Sequence, residues 1–102
     1  MTLDFFINSY DFENFKIEKA ILKDGILKIY VVINAHLDLI ANGYRPELDV
    51  DYNTIIEIKV DKDSDEINDL DSFNCYKLND EYYLEIGKNK YKIVSNDIIF
   101  KK

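Results

Sequence analysis

Cysteine, histidine, proline and glycine are scarce in this chain of 102 residues, and each shortage closes a route. Cys75 is the only cysteine, so no intramolecular disulfide can form, and His36 is the only histidine, which leaves no Cys/His set for zinc. A reducing compartment is the expectation. The three glycines, Gly25, Gly43 and Gly87, each sit at a turn signal, so none belongs to a phosphate-cradling loop. No run approaches the roughly 18 apolar residues of a membrane helix. Asp4 precedes any sizeable apolar run and the first basic residue is Lys16, the wrong order for a secretory signal. These readings point to a soluble cytoplasmic protein of one domain, residues 1–102. A chain of this length buries roughly two-thirds of its unfolded surface and folds without staples.

Basic residues are outnumbered, and the net charge of −7 is unevenly spread. Residues 47–71 hold ten acids (Glu47, Asp49, Asp51, Glu57, Asp61, Asp63, Asp65, Glu66, Asp69 and Asp71) against Lys59 and Lys62. That field disfavours nucleic acid and anionic membranes as partners and favours a basic protein surface.

What the chain does have is alternation. Every odd position from Leu27 to Leu39 is apolar (Leu27, Ile29, Val31, Ile33, Ala35, Leu37, Leu39), the period of a strand with one face in a core. Asn42-Gly43 is a turn signal, and beyond it the even positions Leu48, Val50, Tyr52, Ile56, Ile58 and Val60 carry the apolar stripe. Folding the chain back there opposes Ile33 to Tyr52, Ile29 to Ile56 and Leu27 to Ile58. The other face then pairs Lys28 with Glu57 and His36 with Asp49. Pro46 lacks the N–H this register asks for near the tip, which should open around residues 41–47.

Phe15, Ile17 and Ile21 followed by Asp24-Gly25 announce a hairpin. A two-residue turn would pair Lys23 with Ile26 and thereby place Lys16 opposite Ile33 and Glu18 opposite Val31. A three-residue loop, Lys23-Asp24-Gly25, with a bulge at the glycine instead opposes Ile21, Ile17 and Phe15 to Leu27, Val31 and Ile33, and is preferred. Ahead of it, Leu3, Phe6, Ile7 and Tyr10 share a helical face, while Leu3, Phe5 and Ile7 would also suit a strand. The helix is preferred, with Thr2 as its cap and Asp4 in its first turn. Residues 61–71 read as a loop with one or two helical turns, capped by Ser64, with Ile67 and Leu70 facing the sheet. A meander follows: Phe73 to Leu78, Tyr82 to Ile86, Tyr91 to Val94, then Ile98-Ile99-Phe100. The expected fold is mainly β (α+β), an antiparallel meander of about six strands in a curled sheet with one or two short helices.

Chemistry is hard to place on these residues. Asp61, Asp63 and Asp65 match the first, third and fifth ligands of a calcium loop, but Glu66 stands where glycine is needed and Ser72 where the closing glutamate belongs. His36 beside Asp49 is half of a relay without a nucleophile, and Cys75 lies in another sheet segment. Neither a catalytic residue, a metal site nor a cofactor is expected. Tyr30, Val32 and Ile55 cluster on the otherwise polar face, to be covered by the N-terminal segment or used as an interface, a homodimer contact among the options.

A phenylalanine-led first strand at Phe15, the Asp24-Gly25 hairpin and the long alternating strand from Leu27 together resemble small immunity proteins of bacterial toxin systems. Phage inhibitors of host defence nucleases share the size and acidity. The composition, heavy in Ile, Lys, Asn, Asp and Tyr, is what AT-rich coding favours and suggests a bacterium or its phage. The resemblance spans the first half of the chain and assigns no residue a role. It implies a non-enzymatic acidic protein that occludes a basic surface of a toxin or nuclease. The acids of 47–71 would be its partner-binding residues. The alternative is a small-ligand-binding β domain or enzyme with a cavity in the curled sheet and His36 near its mouth.

Overall fold

A computed structural model describes residues 1–34 and 51–101. Among the described residues, helix α1 (Leu3–Ser9) and a single 3-10 turn (Phe12–Asn14) lead into seven strands. These are β1 (Phe15–Lys23), β2 (Ile26–Asn34), β3 (Asp51–Lys59), β4 (Phe73–Leu78), β5 (Glu81–Ile86), β6 (Asn89–Ile93) and β7 (Ile99–Lys101). They form two antiparallel sheets, one ordered β1-β2-β3-β7 and one ordered β4-β5-β6.

The central pairing has the register its two stripes require. Ile33 opposes Tyr52, Ile29 opposes Ile56 and Leu27 opposes Ile58, with Lys28 across from Glu57 on the other face. Asn42-Gly43, Pro46 and the His36–Asp49 pair lie outside the described residues.

The first hairpin differs from expectation. Its turn has two residues, Asp24 and Gly25, both left-handed (φ 55° and 75°), and Lys23 opposes Ile26. The bulge lies inside the strand instead, where the register shifts between Ile17 and Lys19. Before it Phe15 and Ile17 face Ile33 and Val31 as expected, whereas after it Ala20 and Leu22 take over the core face and Ile21 turns outward opposite Lys28. The extra residue, Glu18, lets both hydrophobic parities of β1 share one core.

The expected single curled sheet is two because residues 61–72 have no alternation with which to extend a ladder. The C-terminal meander therefore pairs with itself, and the last strand, β7, returns to pair with β3. The sheets join where Val60 bridges Ile93, with Val94 N–H donating to the Lys59 carbonyl at 3.0 Å. One buried cluster serves both, uniting Leu27, Ile29, Ile33, Ile56 and Ile58 with Leu84, Ile86 and Ile93.

Helix α1 begins at Thr2, whose hydroxyl accepts from Phe5 N–H at 3.2 Å. Residues just ahead of it run antiparallel to the segment before β7, with Leu3 N–H donating to the Asn96 carbonyl and Ile98 N–H to that of Met1. Phe6 is fully buried, its ring 5.1–6.2 Å from those of Tyr10, Phe12, Phe15, Phe73 and Phe100. Phe15 and Phe100 stand opposite the buried Ile33 and Ile56, so the helix covers the inner face of the sheet. Cover for Tyr30, Val32 and Ile55, on the outer face, does not come from it.

Replacing Phe6 with alanine removes the ring on which the other aromatic side chains converge. Phe6→Ala should cost about 3–5 kcal/mol in urea unfolding, and a loss below about 1 kcal/mol would show that the cluster closes over the gap.

Candidate functional site

Asp61 to Ser72 carries charge rather than periodicity, and its backbone is captured by its neighbours. Asp61 N–H donates to the Lys92 carbonyl at 2.8 Å, and the Asp63 carbonyl accepts from Gly25 N–H at 2.9 Å. Asp65 forms a bridge with Leu22 on the open edge of β1, and the Ser72 carbonyl accepts from Gly87 N–H at 2.9 Å. Ile67 and Leu70 pack on the core as expected, but the segment forms only bends and an isolated bridge, and the Ser64-capped helix does not form. Pairing with β1 and β6 satisfies backbone groups that a helix would otherwise have to satisfy.

Two of the expected partner-binding acids are occupied by this architecture. Asp65 accepts from Tyr91 Oη at 2.7 Å and pairs with Lys62 at 3.1 Å. These hydrogen bonds, Tyr91 first and Lys62 second, hold its carboxyl below the usual carboxylate range. Tyr91 shifts the opposite way, upward, through burial and then its bond to Asp65. Asp69 packs against Gly87 and accepts from Asp71 N–H at 3.1 Å. Asp61, Asp63, Glu66 and Asp71 are exposed.

Glu57 lies elsewhere, on the outer sheet face. There it is bonded to Lys101, and that bond, helped by the charges of Lys101 and Lys28, holds its carboxyl below the ordinary range against partial burial. Asp51 opposes Asn34 in the ladder. Glu47 and Asp49 are outside the described residues, so a continuous acidic ladder is not part of what the structure describes.

The strip ends in a groove of about 760 Å³ between the N-terminal segment and β4. Ile7, Tyr10, Phe12, Phe15 and Phe73 give it an aromatic and aliphatic lining, and Asp11, Glu13 and Asp71 supply carboxylates. Asp11 caps the 3-10 turn by accepting from Glu13 N–H at 3.1 Å, which sets both acids beside the groove. Sequence reasoning overlooked Asp11 and Glu13; the alternation Tyr10-Asp11-Phe12-Glu13 was their signal. Strip and groove are continuous through Asp71, a run of charge leading into apolar surface.

Cys75 reaches the groove, yet burial pushes its thiol up to about 12, far from a thiolate at neutral pH. Among the described residues, no three acidic, histidine or cysteine side chains gather as a metal site. No protein family, curated protein or solved structure matches the chain.

Two outcomes follow from the inward-facing acids. The lowered value at Asp65 makes its contribution to stability complete above the unfolded carboxyl value of about 3.9, and lost as pH falls through the folded one. Tyr91→Phe should therefore flatten the acid limb of a urea-midpoint profile; parallel wild-type and variant profiles would show that Asp65 gains nothing from the phenol. At Gly87 (φ 55°) an added Cβ would overlap Asp69, whereas at Gly25 (φ 75°) the nearest atom is Val60 O at 3.8 Å. Gly25→Ala should cost about 1 kcal/mol and Gly87→Ala about 2 kcal/mol or more, with the reverse order ruling out the Asp69 contact.

Proposed function

We propose that this protein is a non-catalytic binder that covers a basic surface of another protein. Asp61, Asp63, Glu66 and Asp71 meet lysine and arginine side chains, Asp11 and Glu13 extend the field, and the aromatic groove takes an apolar side chain of the partner. The observation that supports this most is the way the strip is held. Its backbone is tied at Asp61, Asp63, Asp65 and Ser72, so little ordering remains to oppose association.

Complementary charge steers the encounter and buried rings retain the complex. A bacterial toxin or a host defence nuclease, whose nucleic-acid-handling surface is basic, is the partner class that fits such a strip. The role is then that of an immunity protein or a phage-encoded inhibitor, acting in the cytoplasm by occupancy alone. The ligand-cavity alternative has less support, because the buried cluster occupies the space between the sheets.

A labelled synthetic peptide alternating arginine with leucine, and its citrulline analogue, test the reading by fluorescence anisotropy. The arginine peptide should bind in preference to the analogue and weaken about tenfold from low to physiological salt. Reversing Asp61, Asp63, Glu66 and Asp71 to lysine should weaken it roughly a hundredfold. Asp65 and Asp69 are left intact because they hold the fold. Affinity unchanged in the reversed protein, with native circular dichroism, would remove the proposal.

A further inference from the structure

The outer face of the four-stranded sheet has the opposite charge from the chain as a whole. Cross-strand partners share a face, so the registers place Lys16, Val32 and Asn53 in one row. Lys19, Tyr30, Ile55 and Lys101 form the next, then Ile21, Lys28, Glu57 and Ile99, and then Lys23, Ile26 and Lys59. Six lysines therefore stand in these rows against Glu57, the bulge residue Glu18 and, in the next row of the same face opposite Asn34, Asp51, in a chain of net charge −7. All six are exposed, and Glu57 is already bonded to Lys101.

Apolar side chains lie between these lysines. Ile21, Ile26 and Ile99 are 37%, 36% and 54% exposed, and Tyr30, Val32 and Ile55 are half-buried. Two shallow clefts open among them, one of about 260 Å³ beside Ile26, Lys59 and Ile99 with Glu57 and Asp97 also in its lining, the other of about 200 Å³ beside Tyr30, Asn53 and Ile55. Among the described residues no helix or strand packs over this face; α1 covers the other side.

We infer that this face is a second interface, for a protein whose surface interleaves carboxylates with aliphatic side chains. The rows of lysine match carboxylates, and the isoleucines with their clefts match aliphatic groups. Nucleic acid fits less well, since phosphates leave the isoleucines facing water and Tyr30, under Lys19 at 5.5 Å, is the only aromatic residue in the four rows available for stacking. A second copy docked face to face, the homodimer through Tyr30, Val32 and Ile55, sets lysines against lysines. The interface shares none of its residues with the acidic strip and stands whether or not the strip binds a basic partner.

The probes are a short peptide alternating glutamate with valine, its glutamine analogue, and oligo-thymidylate. Each is titrated into the wild type and into a variant with Lys19, Lys28 and Lys59 changed to glutamate. A second variant with glutamine at those positions guards against misfolding. The glutamate peptide should bind at least about tenfold more tightly than either other probe, shift the amide resonances of β1–β3, and lose at least about tenfold in both variants. Reversal of Asp61, Asp63, Glu66 and Asp71 should leave its affinity unchanged. Equal binding of the glutamine analogue, tighter binding of oligo-thymidylate, absence of saturation, or a wild-type dimer dissolved by Val32→Asp would each overturn the assignment.

Discussion

Ile29 and Ile56 meet across β2 and β3 with no solvent exposure on either, and the remaining structure depends on that register. Because strand side chains alternate, a slip of one residue would turn Lys28 and Tyr30 inward and the isoleucines out. Each large aliphatic side chain contributes about 1.5–3 kcal/mol on burial, so the slipped pairing loses on every row at once. Among the described residues, the buried polar residue of the inner stripe is Thr54, opposite Val31. Its hydroxyl donates to the Lys101 carbonyl at 2.9 Å, so it helps to fasten β7 to the edge of the same sheet.

The bulge at Glu18 follows from the same requirement. Strand β1 has apolar residues of one parity at Phe15 and Ile17 and of the other at Ala20 and Leu22, and no regular strand can bury both sets. One unpaired residue shifts the phase once. Core packing gains Leu22, and Lys19, Ile21 and Lys23 all pass to the outer face. A local adjustment made for packing thereby changes the electrostatics of a whole surface.

Legibility from sequence tracks how far each segment obeys a period. The β2–β3 register, the strands of the C-terminal meander, the capped helix at Thr2 and the mainly β class all follow from alternation and turn chemistry. The first hairpin departs from expectation because Ile21 and Leu22 offer both phases, and choosing between them depends on where Glu18 sits. Residues 61–71 form a loop without the expected one or two helical turns, because Ser64, Asp65 and Glu66 imitate a capped start while the segment's partners lie in β1 and β6, distant in sequence. The same limit applied to the acids. Composition marks a run of carboxylates, but only tertiary contacts separate Asp65 and Asp69, turned to Tyr91 and Gly87, from Asp61, Asp63, Glu66 and Asp71, turned to water.

Net charge is a poor guide to such a molecule for a reason its topology makes plain. In β1 to β3 the inner positions belong to the core, so almost every charge those strands carry must appear on one face, and their sequences carry mostly lysine. Acids collect instead in the connector, where no periodic burial constrains them. Screening confines each field to about 8 Å at physiological ionic strength, so a partner approaching the sheet senses the lysines before the chain's overall negative charge. Segregation of this kind lets one small acidic protein present two surfaces of opposite sign. Since the rows of isoleucine between the lysines add apolar area that the strip itself lacks outside its groove, the two surfaces differ in their apolar content as well as in their charge.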